Sequence, residues 1–147
     1  MENLLNENYF MKEAVKEAKK AYNKGEVPIG AVITIDNKII ARAHNLTQTL
    51  KDATAHAEML AITSASNYLN GKYLKNCTLY VSLEPCVMCA GAIFWCQLGR
   101  LVYSASDSKR GYSNHKELLH PKTIVERGAF EMESKALIQD FFSKKRK

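Results

Sequence analysis

Apolar residues recur at Phe10, Met11, Ala14, Val15, Ala18, Ala21 and Tyr22. That three-to-four spacing predicts an amphipathic helix from about Tyr9 to Tyr22. From Val27 to Ile35 the chain is almost continuously apolar and reads as a strand. Asp36-Asn37-Lys38 supplies turn residues, and Ile39 to Ala43 reads as the returning strand. Met59, Leu60, Ile62 and Ala65 mark a helix from about Thr54 to Leu69, with cap candidates in Asp52-Ala53-Thr54. Cys77 to Ser82 is a strand. Pro85 suits the first position of a helix running through Ala90, Ile93 and Phe94, and Leu101 to Ser104 is a further strand. A strand–helix–strand unit favours parallel pairing through a right-handed crossover. A short strand near Thr123 to Glu126 follows, and Leu137 and Phe141 are spaced for a last helix. The pattern predicts an α/β sandwich on one mixed sheet. No repeat, low-complexity tract or linker divides residues 1–147, so one domain is expected.

Composition narrows the class. At this length a domain buries about two-thirds of its unfolded surface. No apolar run is long enough to span a bilayer, and the polar, acidic start Met1-Glu2-Asn3-Leu4-Leu5 does not resemble a signal peptide, so a cytoplasmic protein is expected. Formal net charge is +6, of which Lys144, Lys145, Arg146 and Lys147 supply four, leaving +2 for the rest. The basic tail at 143–147 therefore carries most of the excess. It suits phosphate attraction, and a solvated terminus is the plain alternative. Four cysteines in such a chain read as metal ligands and core thiols rather than disulfides, with Cys77 and Cys96 assigned to the core.

The remaining two cysteines change the picture. Pro85-Cys86-Val87-Met88-Cys89 lies downstream of His56-Ala57-Glu58. H-x-E followed by P-C-x-x-C is the signature of zinc-dependent nucleobase deaminases. One imidazole and two thiolates leave a fourth position on zinc open, and zinc lowers the pKa of water held there toward about 7. His56, Cys86 and Cys89 are the candidate ligands. Glu58 is the candidate proton carrier, placed beside the metal without binding it. All three ligands are expected in first helical turns, whose dipoles favour thiolate.

With these motifs quoted, the chain from Val27 onward resembles the bacterial tRNA-specific adenosine deaminases of the cytidine/deoxycytidylate deaminase superfamily. The resemblance runs through Glu26-Val27-Pro28-Ile29-Gly30-Ala31-Val32, Ala43-His44-Asn45, Thr54 to Met59, Leu79 to Ala92 and Asp140 to Arg146. It implies a cytidine-deaminase-like three-layer α/β/α sandwich with a mixed five-stranded sheet. It implies one zinc per subunit, a homodimer, and Asn45 hydrogen-bonded to the target base. The implied reaction converts the wobble adenosine of a tRNA anticodon stem-loop to inosine. Asp107 aligns with an acidic residue on the RNA-binding face.

One stretch departs from the family. Where a small-residue loop is usual, this chain reads Ser108-Lys109-Arg110-Gly111-Tyr112-Ser113-Asn114-His115-Lys116. Lys109 and Arg110 suit phosphates and Tyr112 suits a splayed base, with a solvated loop as the alternative. His44, His115 and His120 are expected in supporting or surface roles, and Trp95 in the core or a dimer interface. Deamination of a free base or nucleoside, such as guanine or cytosine, uses the same metal chemistry and is the second reading. A structural zinc module would need a fourth protein ligand, and a redox C-x-x-C would leave His56 without a role.

Overall fold

The computed structural model describes residues 2–145. Arg146 and Lys147, half of the four-residue basic terminus, lie outside the described residues. The elements are α1 (Glu2–Asn23), β1 (Gly30–Ile35), β2 (Lys38–His44), α2 (Thr47–Leu50), α3 (Ala57–Leu69), β3 (Thr78–Leu83), α4 (Val87–Trp95), β4 (Arg100–Ala105), a 3-10 turn (Tyr112–Asn114), β5 (Ile124–Arg127) and α5 (Glu131–Lys145).

The five strands form one sheet in the order β2-β1-β3-β4-β5. β1 pairs antiparallel with β2 and β3, while β4 runs parallel to β3 and β5. The first hairpin closes through Asp36 (φ 50°) and Asn37 (φ 60°), residue types that tolerate left-handed backbone and give a turn matched to strand twist. The predicted parallel unit is β3–α4–β4.

Strand alternation sorts the core into two layers. Ala31, Ile33, Leu79, Val81, Leu101 and Tyr103 face α3 and α4, meeting Ala57, Ala61, Ala65 and Ile93. Val32, Tyr80 and Val102 point the other way, onto Phe10, Met11 and Ala14 of α1. α5 packs on that second side against α1 and β4. The result is the expected α/β/α sandwich. Fully buried side chains such as Leu79 and Leu101 each contribute roughly 1.5–3 kcal/mol by leaving water. α1 lies directly on β1 because position 30 is glycine. A Cβ there would fall 2.0 Å from the Ala14 carbonyl oxygen and 2.4 Å from the Ala18 amide.

Several boundaries differ from the sequence reading. β1 starts at Gly30 rather than Val27, because Pro28 lacks an amide and Ile29 closes a tight turn onto the Val27 carbonyl. α3 starts at Ala57 rather than Thr54, since Asp52 Oδ1 accepts from the Thr54 amide and hydroxyl in a turn of its own. α4 has Cys86 as N-cap, directly before its first residue Val87, so Pro85 precedes the helix instead of opening it. Trp95 is 76% exposed and is not a core residue. Cys77 and Cys96 are buried, as expected.

Candidate metal centre and substrate face

Four chain segments converge at one edge of the sheet. β3 and β4 are parallel, and their carboxyl ends open at Leu83 and Ala105. In α/β proteins that edge is where ligands bind. The start of β1 and the end of β2 lie along the same edge, since Gly30 pairs with His44 and donates its amide to Ser82 Oγ. The first residues beyond the ends of β2, β3 and β4 are Asn45, Glu84 and Ser106.

Helix starts supply the metal donors. His56 is the N-cap of α3 and Cys86 the N-cap of α4, both in extended backbone, with Cys89 in the first turn of α4. Among the described residues, neither cap side chain makes an N-capping hydrogen bond. His56 Nδ1 lies 3.7 Å from Cys86 Sγ and 3.6 Å from Cys89 Sγ. Tetrahedral zinc with ordinary bond lengths sets nitrogen and sulfur about 3.6 Å apart. The three ligand atoms all lie within 4.8 Å of one another. A hydrogen bond from Cys89, followed by His56, draws Cys86 down to about 4, and the same bond pushes Cys89 up. Cys86 raises the His56 pKa in turn.

Glu58 sits in the first turn of α3 and is 3% exposed. Burial pushes its carboxyl up to about 7, and the Cys86 charge adds to the rise. Its Oε1 is buried and takes no hydrogen bond from the described residues. A buried carboxylate oxygen without a donor is costly. One imidazole, two thiols and this orphaned oxygen fit a zinc ion that keeps one position for water. Glu58 is not among the converging ligand atoms.

Two buried carboxylates that the sequence reading passed over shape the surrounding loops. Glu26 is wholly inaccessible to solvent. It accepts from the Gln48 amide at 3.1 Å, the Thr49 amide at 2.7 Å and the Thr49 hydroxyl at 2.7 Å. Burial opposes its ionisation, but these donors overcome burial and hold it below the usual carboxylate range. Glu26 also lies 3.5 Å from Asn45 Nδ2, which donates to Thr47 Oγ1 at 3.3 Å. Asn45 is 3% exposed, and the Leu46 amide bonds the Ala55 carbonyl beside His56. Glu84 is the second, and it receives amides from the loop after β4. A Glu one or two residues before proline within an apolar run was the available signal.

The other candidates separate. Asp107 Oδ1 accepts the Lys109 and Arg110 amides, so that oxygen turns its own loop. Lys109 and Arg110 are exposed. Tyr112 is half-buried, its ring edge-on to Tyr103 at 6.2 Å. His44 Nδ1 meets Glu17 at 2.9 Å and its Nε2 meets Lys24 at 3.0 Å. His115 is exposed, and His120 stacks tilted on Phe94. In the tail, Lys144 pairs with Asp140 and the Tyr22 hydroxyl.

The pattern of the cytidine and deoxycytidylate deaminase zinc-binding region matches residues 5–105. The chain belongs to the cytidine and deoxycytidylate deaminase family. It is 44% identical over 147 residues to the tRNA-specific adenosine deaminase of Aquifex aeolicus (strain VF5), covering 97% of each chain. It is 46% identical over 144 residues to that of Bacillus subtilis (strain 168), covering 94% of this chain and 89% of the relative. A solved tRNA:A34 deaminase, studied for A-to-I editing at the wobble position, superposes with a TM-score of 0.82 at 40% identity, over 88% of this deaminase and 98% of that one. A Bacillus subtilis guanine deaminase is 44% identical, with a TM-score of 0.64 over 67% of this chain and 63% of its own. Among the described residues, no helix of the deaminase is long and apolar enough to cross a membrane.

Proposed function

We propose that this deaminase hydrolyses the wobble adenosine of a tRNA anticodon stem-loop to inosine. Two-end coverage by relatives named tRNA-specific adenosine deaminase supports the substrate class. The buried, unpaired Glu58 Oε1 beside three zinc donors is the observation that carries the chemistry.

His56, Cys86 and Cys89 hold one zinc per chain. Zinc, when bound, supplies an acidified water as nucleophile for C6 of adenine. Glu58 accepts the proton that this water gives up and delivers it to the ring nitrogen next to C6. It then takes the proton of the hydroxyl added at C6 and passes it to the amine, which leaves as ammonia as C6 becomes the carbonyl of inosine. Its burial keeps bulk water from competing for that proton. Asn45, held by Thr47 and Glu26 through its amide nitrogen, turns its carbonyl oxygen toward the base as an acceptor. Asp107 shapes the loop that presents Lys109 and Arg110 to the phosphates, and Tyr112 braces that loop from below.

The same reading makes the enzyme a cytoplasmic homodimer. Val87 and Trp95 are exposed eight residues apart on α4 and offer an apolar stripe to a second copy. Incubation with an anticodon stem-loop, free adenosine, free guanine and free cytosine tests the substrate class. Inosine should form in the stem-loop, while free adenosine should lose kcat as well as affinity, because binding energy from flanking nucleotides drives the chemical step. Turnover of free guanine without inosine in the stem-loop would overturn the reading.

A further inference from the structure

Glu84 occupies an unusual position for a carboxylate. It is the residue that follows β3, two before the metal donor Cys86, and it is 4% exposed. Its own amide is used by the Ala105 carbonyl at the end of β4, at 2.8 Å. Its carboxylate reaches the loop after β4. Oε1 accepts the Asp107 amide at 3.0 Å, and Oε2 accepts the Ser113 amide at 2.9 Å. One side chain thus grips both ends of the 107–113 loop.

The backbone completes the same junction. The Tyr112 amide donates to the Pro85 carbonyl at 2.9 Å, and Cys86 forms an isolated antiparallel bridge with Gly111. Gly111 has φ −65° and ψ 145°, angles open to any residue. Space is what requires glycine. A Cβ at position 111 would fall 2.3 Å from Glu84 Oε2 and 2.5 Å from the Asp107 carbonyl oxygen. The glycine of this loop thus stands where the carboxylate lies against it.

We propose that Glu84 is a positioning residue, locking the 107–113 loop onto the metal-ligand turn so that the RNA-gripping side chains and the metal donors hold one fixed register. The inference rests on the tRNA-editing reading. Lys109 and Arg110 stand on the exposed arc between the two anchored amides. Their distance from the reacting base is set by a loop of seven residues, and misplacement of about 1 Å can cost about 100-fold in rate. A carboxylate suits the task because charged acceptors make the stronger hydrogen bonds to backbone amides.

Glu84→Ala removes both acceptors. Glu84→Gln keeps one and turns an NH2 toward the other amide donor. Each variant is measured for zinc content, thermal midpoint, kcat and KM on the anticodon stem-loop, and amide hydrogen exchange at Asp107 and Ser113. The expected result is zinc retained, amide exchange faster at both positions, and stem-loop KM raised about 10-fold or more in Glu84→Ala. Glu84→Gln should lie between it and wild type. General destabilisation would lower the active fraction, and hence kcat, while leaving KM in place. Unchanged KM and unchanged exchange in a zinc-loaded, folded Glu84→Ala enzyme would overturn the proposal. So would zinc loss with normal KM in the loaded fraction, which would confine Glu84 to the metal turn. A wild-type enzyme inert on the stem-loop would instead overturn the tRNA reading, and with it the RNA half of the proposal. The exchange data would still decide whether Glu84 anchors the loop.

Discussion

Replacing Glu26 should destabilise the deaminase in a pH-dependent way. The carboxylate anchors α2 through two backbone amides and one hydroxyl. Hydrogen bonds to a charged group contribute about 1.5–3 kcal/mol each, and an orphaned donor costs about 1–3 kcal/mol. Glu26 is inaccessible, yet it lies beneath Gln48, Thr49 and Leu50, which are exposed. Water can therefore reach the freed amides, and the low end of each range applies. Glu26→Ala should cost about 3–4.5 kcal/mol at pH 7, about 1.5 kcal/mol for each of the two amides and up to as much again for the hydroxyl, which can turn to water, and Glu26→Gln, which keeps one acceptor, about half of that. The sign with pH follows from the lowered carboxyl. A depressed folded pKa gives stability that is complete above the ordinary glutamate value of about 4.3 and disappears as pH falls through the folded value. The gap between wild type and Glu26→Gln should thus be constant from pH 7 to 5 and shrink below about 4. Urea unfolding of both proteins across that range measures it. Taking the difference removes the zinc ligands and the other lowered carboxylates, which both proteins share. A gap under about 0.5 kcal/mol, the usual size for surface changes, would refute the anchoring argument. So would a gap that ignores acid.

Glu58→Gln should keep its zinc and its fold while turnover falls by about 10²–10⁴-fold or more, since one carboxylate serves several proton transfers. Zinc analysis beside inosine assays checks this, and lost zinc would make Glu58 a ligand. Deleting residues 144–147 should weaken stem-loop binding and flatten its dependence on salt, by at most about 3 units of log–log slope, with zinc content unaltered. Lys144 is already paired with Asp140, so a loss nearer three contacts than four is expected, and an unchanged slope would show the tail to be solvated only.

The candidate metal centre was legible before any fold was known because metal chemistry admits few side chains. Imidazole and thiolate bind zinc where most residues cannot, so His56, Cys86 and Cys89 announce themselves by type and spacing. The sheet was legible for a related reason. Alternation at Ala31, Val32 and Ile33 can satisfy two packed layers only if the strand lies between them. Boundaries were less so. Whether Thr54 or Ala57 opens α3 depends on Asp52 taking the Thr54 amide first, a contest between two local hydrogen-bonding options of similar strength.

The anchors of the loops were hidden for a deeper reason. Glu26 and Glu84 act on backbone amides, which every residue but proline carries, so nothing in the partner's side chain marks the contact. Glu26 reaches across 23 residues to Thr49, and Glu84 across 29 to Ser113. Such a pairing exists only once the sheet has brought the strand ends together. Yet a burial argument narrows the search. A glutamate caught between apolar neighbours at a strand end, as in Val81-Ser82-Leu83-Glu84-Pro85, cannot remain ionised in the interior without donors. The donors nearest a strand end are the amides of the adjoining loops, which lack strand partners. The same physics that leaves Glu58 Oε1 without a protein donor gives Glu26 and Glu84 theirs. Of the three buried carboxylates around this site, Glu26 and Glu84 take backbone amides and fix loops, and Glu58 keeps one oxygen open, as its proposed proton transfers require.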